Sequence, residues 1–185
     1  MTKRLIDILL SMMALLILMP LLLITAAFIR LQDGGPSLFG QQRVGKDGQS
    51  FLMWKFRSMV MNAESLGGFS TADLDPRITP IGRFIRRTSL DELPQLLNVL
   101  VGDMSIVGPR PDVPAQRSLY TEDEWMVRHS VRPGITGLAQ STMRSEATTE
   151  QRKAMDLEYV NNASLALDAR IIVMTIKQVI FKGGN

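Results

Sequence analysis

The sequence TSLDELPQ, residues 88–95, places two adjacent carboxylates, Asp91 and Glu92, between a basic segment and an apolar run. Pro94 suits the first turn of a helix, where its missing N–H removes no hydrogen bond, and it would break a helix interior. The sequence therefore predicts that a helix starts between Ser89 and Asp91. A capping box of Ser89 with Glu92 favours the first position, whereas the place of Pro94 favours the second.

At either start, Asp91 and Glu92 lie at the positive end of a helix dipole, close to the arginines of segment 83–87. This setting keeps carboxylates ionised and also attracts phosphate. An ionised aspartate beside an anion site can act as a nucleophile, and its neighbour can hold a divalent metal. For an isolated Asp-Glu pair, a capped helix with two solvated acids is the simpler interpretation.

Composition narrows the class of partner. The 185 residues suffice for one domain with a core, and the net charge of +3 indicates an anionic partner without requiring nucleic acid. The chain has no cysteine, which excludes disulfides and thiolate metal sites, and its single histidine, His129, argues against a His-rich site.

Residues 5–29 are apolar except for Asp7, Ser11 and Thr25, and the run is long enough for a membrane helix. It is too long for a secretory signal, and it lacks a good cleavage site. A helix that spans the membrane is the serious alternative. We favour a re-entrant helix, bent at Pro20 and returning to the same membrane face.

Three features support the re-entrant geometry. Pro20 interrupts the run near its middle, where a proline kinks a helix. Each arm is then about 15–22 Å long, shorter than a hydrocarbon core of about 30 Å. Basic residues flank both ends, so the positive-inside rule draws both ends to the cytoplasm. Arg4 and Asp7 are one turn apart, and their pairing would lower the cost of Asp7 near the interface.

Residues 39–56 predict a β-hairpin, with strands at 39–44 and 50–56 and a turn at 45–48. Lys55 and Arg57 alternate with Trp54 and Phe56, so the cations project away from the aromatic face. They form either a solvated face or contacts with an anionic ligand.

Farther along, Pro109 and Pro111 fix the backbone on either side of Arg110, and a rigid loop with one guanidinium suits bidentate phosphate binding. Segment 131–137 is a second stiff turn with a cation, Arg132. His129, just before it, is expected to be structural.

The remaining chain predicts short helices and loops without internal repeats. We expect a short helix at 59–66, a surface loop at 67–80, an amphipathic basic segment at 81–87, and helices at 112–126, 148–162 and 164–181. The P-loop, Rossmann and serine-elbow motifs are absent from the sequence.

Six stretches, taken together, resemble the bacterial sugar transferases, or monotopic phosphoglycosyl transferases. They occur in the family's order and cover nearly the whole chain, which makes the combination specific. The stretches are KRLID at 3–7, KFRSM at 55–59, SLDELPQ at 89–95, VGPRP at 107–111, RPGITG at 132–137 and DLEYV at 156–160. The length resembles the minimal catalytic form. Family members often have Ser-Pro at the helix break, and this chain has Met19-Pro20 instead.

The resemblance implies transfer of a sugar 1-phosphate from a UDP-sugar to a polyprenyl phosphate such as undecaprenyl phosphate, with release of UMP. This reaction is the first membrane-committed step of bacterial glycoconjugate assembly. It implies magnesium and a covalent phosphosugar–aspartyl intermediate, with Asp91 as nucleophile and both Asp91 and Glu92 at the metal. Residues expected at the substrate are Lys55, Arg57, Arg86, Arg110, Arg132, Asp156 and Tyr159, and residues expected at the membrane are Arg4, Asp7 and Pro20. Whether Asp156 and Tyr159 contact ligand or brace the core stays open.

The expected fold class is α+β, with a re-entrant membrane helix at 1–30 and a cytoplasmic catalytic domain at 31–185 that carries amphipathic interfacial helices and a short β-hairpin. The expected location is the cytoplasmic face of the bacterial inner membrane. Expected partners are UDP-sugar, polyprenyl phosphate and membrane lipid, without nucleic acid. The resemblance leaves open a homodimer and contacts with downstream glycosyltransferases.

Two other functions remain as alternatives. A membrane-associated, metal-dependent phosphodiesterase or pyrophosphatase would use the same two acids with water as acceptor. A non-catalytic scaffold for glycan assembly would tolerate Asp91→Asn. The residues that select the sugar are expected in 67–80 and 112–143, and the sequence does not identify that sugar.

Overall fold

In the computed structural model, which describes residues 2–67, 75–143 and 147–182, the N-terminal apolar run forms a single helix, α1 (Thr2–Asp33). The helix continues through Pro20 and is about 48 Å long at a rise of 1.5 Å per residue. Within the described residues, α1 is the one helix long and apolar enough to cross a membrane by length and composition. Whether α1 spans or re-enters a membrane stays a prediction.

One face of α1 lies against the rest of the chain along its whole length. At the first turn, Lys3 Nζ donates to Asp168 Oδ2 at 2.6 Å, and at the last turn Asp33 Oδ2 accepts from Arg57 Nη1 at 2.7 Å. The same folded body therefore holds both ends of the helix. The buried residues of this face are Asp7, Ser11, Leu15, Thr25 and Ile29.

The expected pairing of Arg4 with Asp7 is wrong. Arg4 instead donates to the carbonyls of Val99 and Leu100. These carbonyls lie in the last turn of a helix, where no N–H of the same helix can donate to them. Asp7 accepts from Ser105 Oγ at 2.9 Å and from a backbone N–H. Each charged group thus satisfies backbone or side-chain groups of the domain rather than its neighbour on α1.

The predicted β-hairpin is confirmed. Strands β1 (Leu38–Val44) and β2 (Ser50–Phe56) pair antiparallel, and the turn between them contains Asp47 and Gly48 at φ of 55° and 75°. A glycine and an aspartate tolerate this left-handed backbone, which is why the chain reverses here.

Asn98 fixes a short helix, α4 (Gln95–Val101), against the hairpin. Its side-chain amide donates to the Leu52 carbonyl at 2.8 Å, and its amide oxygen accepts from the Trp54 N–H at 2.9 Å. The buried side chain therefore continues the hydrogen bonding of β2 where no further strand is present. This contact sets the distance between the hairpin and the turn that precedes α4.

The structure confirms most of the helices that the local sequence pattern predicts. Those expected at 148–162 and 164–181 are present as the last two, and the basic segment is also helical. The prediction of one helix at 112–126 is wrong. The segment contains a 3₁₀ turn (Pro114–Leu119), and a separate helix follows, which Thr121 caps by accepting from the Glu124 N–H. The remaining helices are α2 (Ala63–Leu66), α3 (Pro80–Arg87), α5 (Glu122–Arg128), α6 (Leu138–Thr142), α7 (Thr149–Asn161) and α8 (Leu165–Lys182).

The stiff turn expected at 131–137 includes a strand. Strand β4 (Gly134–Thr136) pairs parallel with β3 (Ser105–Val107). A Cβ at Gly134 would lie 2.1 Å from the backbone nitrogen of Gly108, so only glycine permits this approach. This strand pair anchors the loop after β3, which carries Arg110, to β4.

Three small apolar clusters hold these elements together. The first joins α1 to β2 and α3, the second joins β2 to α4, and the third joins β3 to α7 and α8. Their buried centres are Ile29, Phe56 and Ile85; Met53, Val99 and Met104; and Val107, Tyr159 and Ile171. The observed architecture is therefore mixed α and β, with the two acids of 88–95 between the first two clusters.

Candidate active site

The two acids lie in a 3₁₀ turn (Leu90–Glu92), and not in the first turn of α4. Ser89 has a left-handed backbone with φ of 57° and makes no capping hydrogen bond, so the expected capping box is wrong. Pro94 occupies the N-cap of α4, whose first residue is Gln95. The turn buries Asp91, which is 9% exposed, and directs the Glu92 carboxylate toward the hairpin.

Glu92 is held by two cations from separate parts of the chain. Its Oε1 accepts from Lys55 Nζ at 3.1 Å and from Arg110 Nη2 at 2.8 Å. Lys55 comes from β2 and Arg110 from the loop after β3, so the hairpin, the 3₁₀ turn and the loop meet at this carboxylate. Charge-assisted hydrogen bonds of this kind are about twice as strong as neutral ones.

The adjacent carboxylates differ in their electrostatics. Burial opposes ionisation of Glu92, but the attraction of Arg110 and Lys55 outweighs it and lowers the pKa of Glu92. Burial and the charge of Glu92 raise the pKa of Asp91 to about 6, against the smaller attractions of Lys55 and Arg86. Burial lowers the pKa of Lys55, and the negative charge of Glu92 offsets part of this lowering.

Asp91 itself accepts no hydrogen bond from the described residues. An aspartate that is buried, unbonded and beside a paired glutamate is electron-rich and poorly solvated, which favours nucleophilic attack.

A cavity of about 570 Å³ lies beside this cluster. Glu92 and Arg110 form part of its wall, and Leu18 and Leu21 of α1 form another part. The sequence did not single out Arg152, Gln140 and Gln178, which also line it. Arg152 lies in an ordinary polar helix sequence, and its place in the cavity follows only from how α7 packs.

The loop that presents Arg110 is held from behind by Arg128, which sequence reasoning also missed. Arg128 is 3% exposed, and its Nη2 donates to the Arg110 carbonyl at 2.7 Å and to Asp156 Oδ2 at 2.7 Å. Its Nη1 donates to Asp112 Oδ2. Arg43 adds a bond from Nη1 to the Pro111 carbonyl at 2.9 Å. The direction of Arg110 is thus fixed by buried charge as well as by the two prolines.

Asp156 and Tyr159 lie behind the site rather than in the cavity. Asp156 pairs with Arg128, and the Tyr159 hydroxyl donates to Asp168 Oδ1 at 2.7 Å and to the Val107 carbonyl at 3.1 Å. Burial and the acceptor Asp168 raise the pKa of Tyr159. Of the two roles left open by the sequence, these contacts correspond to bracing the loop after β3. His129 is buried as expected, with Nδ1 bonded to a backbone carbonyl.

Three other expected cations are placed differently. The Arg57 guanidinium donates to Asp33 and to the Pro36 carbonyl, and Arg57 does not line the cavity. Arg132 donates to the Gly102 carbonyl at 2.7 Å on the surface. Arg86 contributes attraction to Asp91 without a direct bond. Most of the loop expected to select the sugar, residues 68–74, lies outside the described residues.

The donor set in the turn fits magnesium better than a transition metal. Asp91 and Glu92 offer carboxylate oxygens, and the described ranges contain no group of three or more His, Cys, Asp or Glu side chains placed for a metal. Mg²⁺ commonly binds one or two carboxylates, substrate phosphates and water. The unbonded carboxylate of Asp91 suits such a site.

A family model described as bacterial sugar transferase matches residues 1–182. The chain is 45% identical to the UDP-glucose:undecaprenyl-phosphate glucose-1-phosphate transferase of Escherichia coli (strain K12), over 98% of this chain and 40% of that protein. It is 42% identical to the undecaprenyl-phosphate galactose phosphotransferase of Salmonella typhimurium, over 98% of this chain and 41% of that protein.

A third relative matches along almost its whole length. The exopolysaccharide production protein PSS of Rhizobium leguminosarum bv. phaseoli is 46% identical over 98% of this chain and 96% of that protein. The chain therefore spans about two fifths of the Escherichia and Salmonella relatives and nearly all of the Rhizobium one. In each comparison the match includes the turn with the two acids.

Proposed function

Because the chain belongs to the bacterial sugar transferase family, we propose that it transfers a sugar 1-phosphate from a UDP-sugar to a polyprenyl phosphate and releases UMP. The observation that carries the proposal is the pairing of Glu92 with Lys55 and Arg110 beside a buried, unbonded Asp91. This arrangement offers a nucleophile next to fixed positive charge, which is what displacement at a diphosphate requires.

In the first step, a carboxylate oxygen of Asp91 attacks the β-phosphorus of the UDP-sugar. The bond between that phosphorus and the bridging oxygen breaks, and the oxygen leaves with its electron pair as part of UMP. We assign to Arg110 and Lys55 the stabilisation of charge on the phosphate oxygens, which their convergence on Glu92 at 2.8 and 3.1 Å supports.

In the second step, a phosphate oxygen of the polyprenyl phosphate attacks the same phosphorus. The bond to Asp91 breaks, the carboxylate is regenerated, and the product is a polyprenyl diphosphate sugar. Neither step consumes a proton, so no general base is needed at the acceptor. Two easier displacements thus replace one difficult displacement between two anions.

Asp91 and Glu92 would hold magnesium together with substrate oxygens, and the ion, when bound, would neutralise diphosphate charge. Glu92 is suited to this task because its lowered pKa keeps it ionised. Lys55 and Arg110 keep the same carboxylate in one position in the free protein.

We also propose that α1 is embedded in one leaflet of the inner membrane from the cytoplasmic side and does not cross it. The ion pairs of Lys3 and Asp33 tie both ends of α1 to the catalytic body, and a helix crossing the bilayer would separate these ends by the membrane. The opposite face of α1 exposes large apolar side chains that water would not cover stably. They include Leu5, Leu9, Leu16, Ile17, Leu23, Phe28 and Leu31.

The reaction can be tested by the intact mass of the detergent-solubilised protein after incubation with magnesium and a panel of UDP-sugars, without lipid. We expect a gain of one sugar phosphate with the preferred sugar and none in Asp91→Asn. UMP release that needs polyprenyl phosphate, without an adduct, would retain the transferase and reject the covalent step. UMP release with water as acceptor would indicate the hydrolase.

The topology can be tested with single cysteines, since the natural chain has none. Thr2→Cys and Arg30→Cys lie at opposite ends of α1 on exposed positions. We expect a membrane-impermeant maleimide to label both from the cytoplasmic side of inverted vesicles. Labelling of the two from opposite sides would reject the proposed topology.

A further inference from the structure

A second cavity, of about 510 Å³, forms a groove between α1 and α8. Leu10 and Ala14 of α1 and Ile172 and Ile176 of α8 line it, together with the buried Leu96 of α4. Its volume is within the range of about 300–1,000 Å³ that is usual for ligand sites. At its rim, Ile176 is 52% exposed, so the groove opens onto the apolar surface that we assign to the membrane.

The groove presents carbon surface even at its two threonines. Thr175 Oγ1 donates to the Ile171 carbonyl at 2.9 Å, and Thr136 Oγ1 lies 2.7 Å from Thr175 Oγ1, where it can donate in turn. Both hydroxyl protons are then used within the wall, and the methyl groups remain for an occupant. A ligand with polar groups along its length would gain no partners here.

The groove is continuous with the catalytic cavity. Leu18, Thr136 and Thr175 line both, as do Leu96 and Ile135. Along α1 the joint wall runs from Leu10 to Leu21, which is about 16 Å at the helical rise. An occupant therefore has an apolar end near Leu10 and a polar end at the acids and cations of the site.

The polar end offers one cation that the pairing of Glu92 does not use. Arg152 lines the catalytic cavity, and its guanidinium makes no hydrogen bond or ion pair with the side chains and backbone of the described residues, although its charge attracts Asp156. A guanidinium in this state can receive the phosphate of an incoming lipid. Arg152 thus shares with Glu92 the wall of the cavity into which the apolar groove leads.

We propose that this groove binds the first isoprene units of the acceptor lipid and directs its phosphate past Arg152 to the sugar phosphate on Asp91. The inference rests on the proposed function, since it assigns a path to the acceptor of that reaction. A linear isoprenoid chain that ends in one phosphate fits an apolar groove that leads to one charged site. The rest of the polyprenyl chain exceeds this volume and lies in the bilayer.

The test compares Ala14→Trp, which fills the groove, with Leu16→Trp on the same helix. Leu16 is 69% exposed and lines neither cavity. Each variant is assayed in detergent for adduct formation from UDP-sugar without lipid, and then for transfer to polyprenyl phosphate. We expect adduct formation within about twofold of wild type in both, which also shows that both fold. For Ala14→Trp we expect kcat/KM for the lipid to fall by at least about tenfold, equivalent to only about 1.4 kcal/mol.

The outcomes separate the groove from the reaction. Full transfer by Ala14→Trp, or an equal loss in Leu16→Trp, would overturn the groove while the proposed function stands. Absence of lipid-dependent UMP release in the wild type would overturn the proposed function itself.

A crosslinking experiment identifies the occupant directly. Polyprenyl phosphate with a diazirine in its first isoprene units is irradiated with the wild-type protein in nanodiscs, and the labelled peptides are sequenced by mass spectrometry. We expect adducts on Leu10 or Ala14 of α1 and on Ile172 or Ile176 of α8. Adducts elsewhere, or equal labelling of these residues by a diazirine phosphatidylcholine, would overturn the proposal.

Discussion

Replacing Arg128 by methionine tests whether buried charge holds the catalytic loop. The guanidinium contacts Asp112, Asp156 and the Arg110 carbonyl, and it is 3% exposed. Its removal leaves two carboxylates without their cation in an environment that excludes water. Breaking a buried ion pair in this way costs about 3–5 kcal/mol of unfolding free energy.

For a chain of this size, 1 kcal/mol shifts the melting temperature by about 2–4 °C, so we expect Arg128→Met to lower it by about 6–20 °C. Tryptophan fluorescence of the protein in detergent reports the transition, since Trp125 lies beside this network, with its ring centroid 3.9 Å from that of His129. The matched control is Arg117→Met. Arg117 is 39% exposed and pairs with Glu122. It also donates to the Tyr120 carbonyl at 3.3 Å and lies 4.9 Å from the centroid of the Trp125 ring. Surface contacts of these kinds contribute only about 0–1 kcal/mol each.

Equal melting temperatures for Arg128→Met and Arg117→Met would refute the reasoning. A second readout concerns the loop itself. Because Arg128 fixes the carbonyl of Arg110, we expect Arg128→Lys to retain part of the stability but to lose sugar-phosphate transfer, since a lysine cannot contact both carboxylates and the carbonyl together. Transfer at the wild-type rate by Arg128→Lys would show that the loop is positioned by its prolines alone.

Three further variants test the other contacts that form the site. Arg110→Met removes the cation that pairs with Glu92 at 2.8 Å and that we propose for the phosphate in the transition state; a charge-assisted bond of about 1.5–3 kcal/mol made there corresponds to a rate of adduct formation about 10- to 150-fold lower in the intact-mass assay. Asn98→Leu leaves two part-buried backbone groups of β2 without their partner and should lower the unfolding free energy by about 1–3 kcal/mol in urea titration. Gly134→Ala forces a Cβ to within 2.1 Å of Gly108 N and should prevent recovery of monodisperse protein by gel filtration.

Two of these variants, Arg110→Met and Gly134→Ala, have a matched control on the same chain. Arg87→Met removes an exposed arginine near the turn, and Gly34→Ala adds a Cβ where nothing lies within 4 Å, at a φ of +72°. Arg87→Met should leave adduct formation near the wild-type rate, and Gly34→Ala should cost about 1 kcal/mol of backbone strain. An Arg110→Met variant as active as Arg87→Met, a fully stable Asn98→Leu variant, or a well-folded Gly134→Ala variant would each contradict the corresponding argument.

The sequence predicted correctly those elements whose pattern lies within a few consecutive residues. The alternation of Trp54 to Arg57 and the Gly-Lys-Asp-Gly turn predicted the hairpin, and the residue pattern of 148–162 predicted α7. The parallel pair of β3 and β4 was not predictable in this way. Its strands have three residues each, and the Pro-Gly at 133–134 has the composition of a turn.

The capping box failed because a tertiary contact competes with it. Ser89 and Glu92 have the spacing of a box, and the pattern assumes that Glu92 bonds the backbone of Ser89. In the fold, Glu92 instead accepts from Lys55 and Arg110, which lie 37 and 18 residues away. Two charge-assisted bonds outweigh one bond to a neutral amide. Arg128 was missed for the same reason, since its partners Asp112 and Asp156 are 16 and 28 residues distant.

Helix α1 contributes to the candidate active site as well as to the apolar surface of the protein. Leu18 and Leu21 form part of the catalytic cavity wall, so the apolar helix is also a component of the site. In the reaction that we propose, a soluble nucleotide sugar would bind the cations around Glu92, and a lipid phosphate would follow carbon surface that leads to them. Because α1 supplies such surface in the wall of the same cavity, the proposed acceptor could approach Asp91 from the membrane while the nucleotide sugar approaches from water.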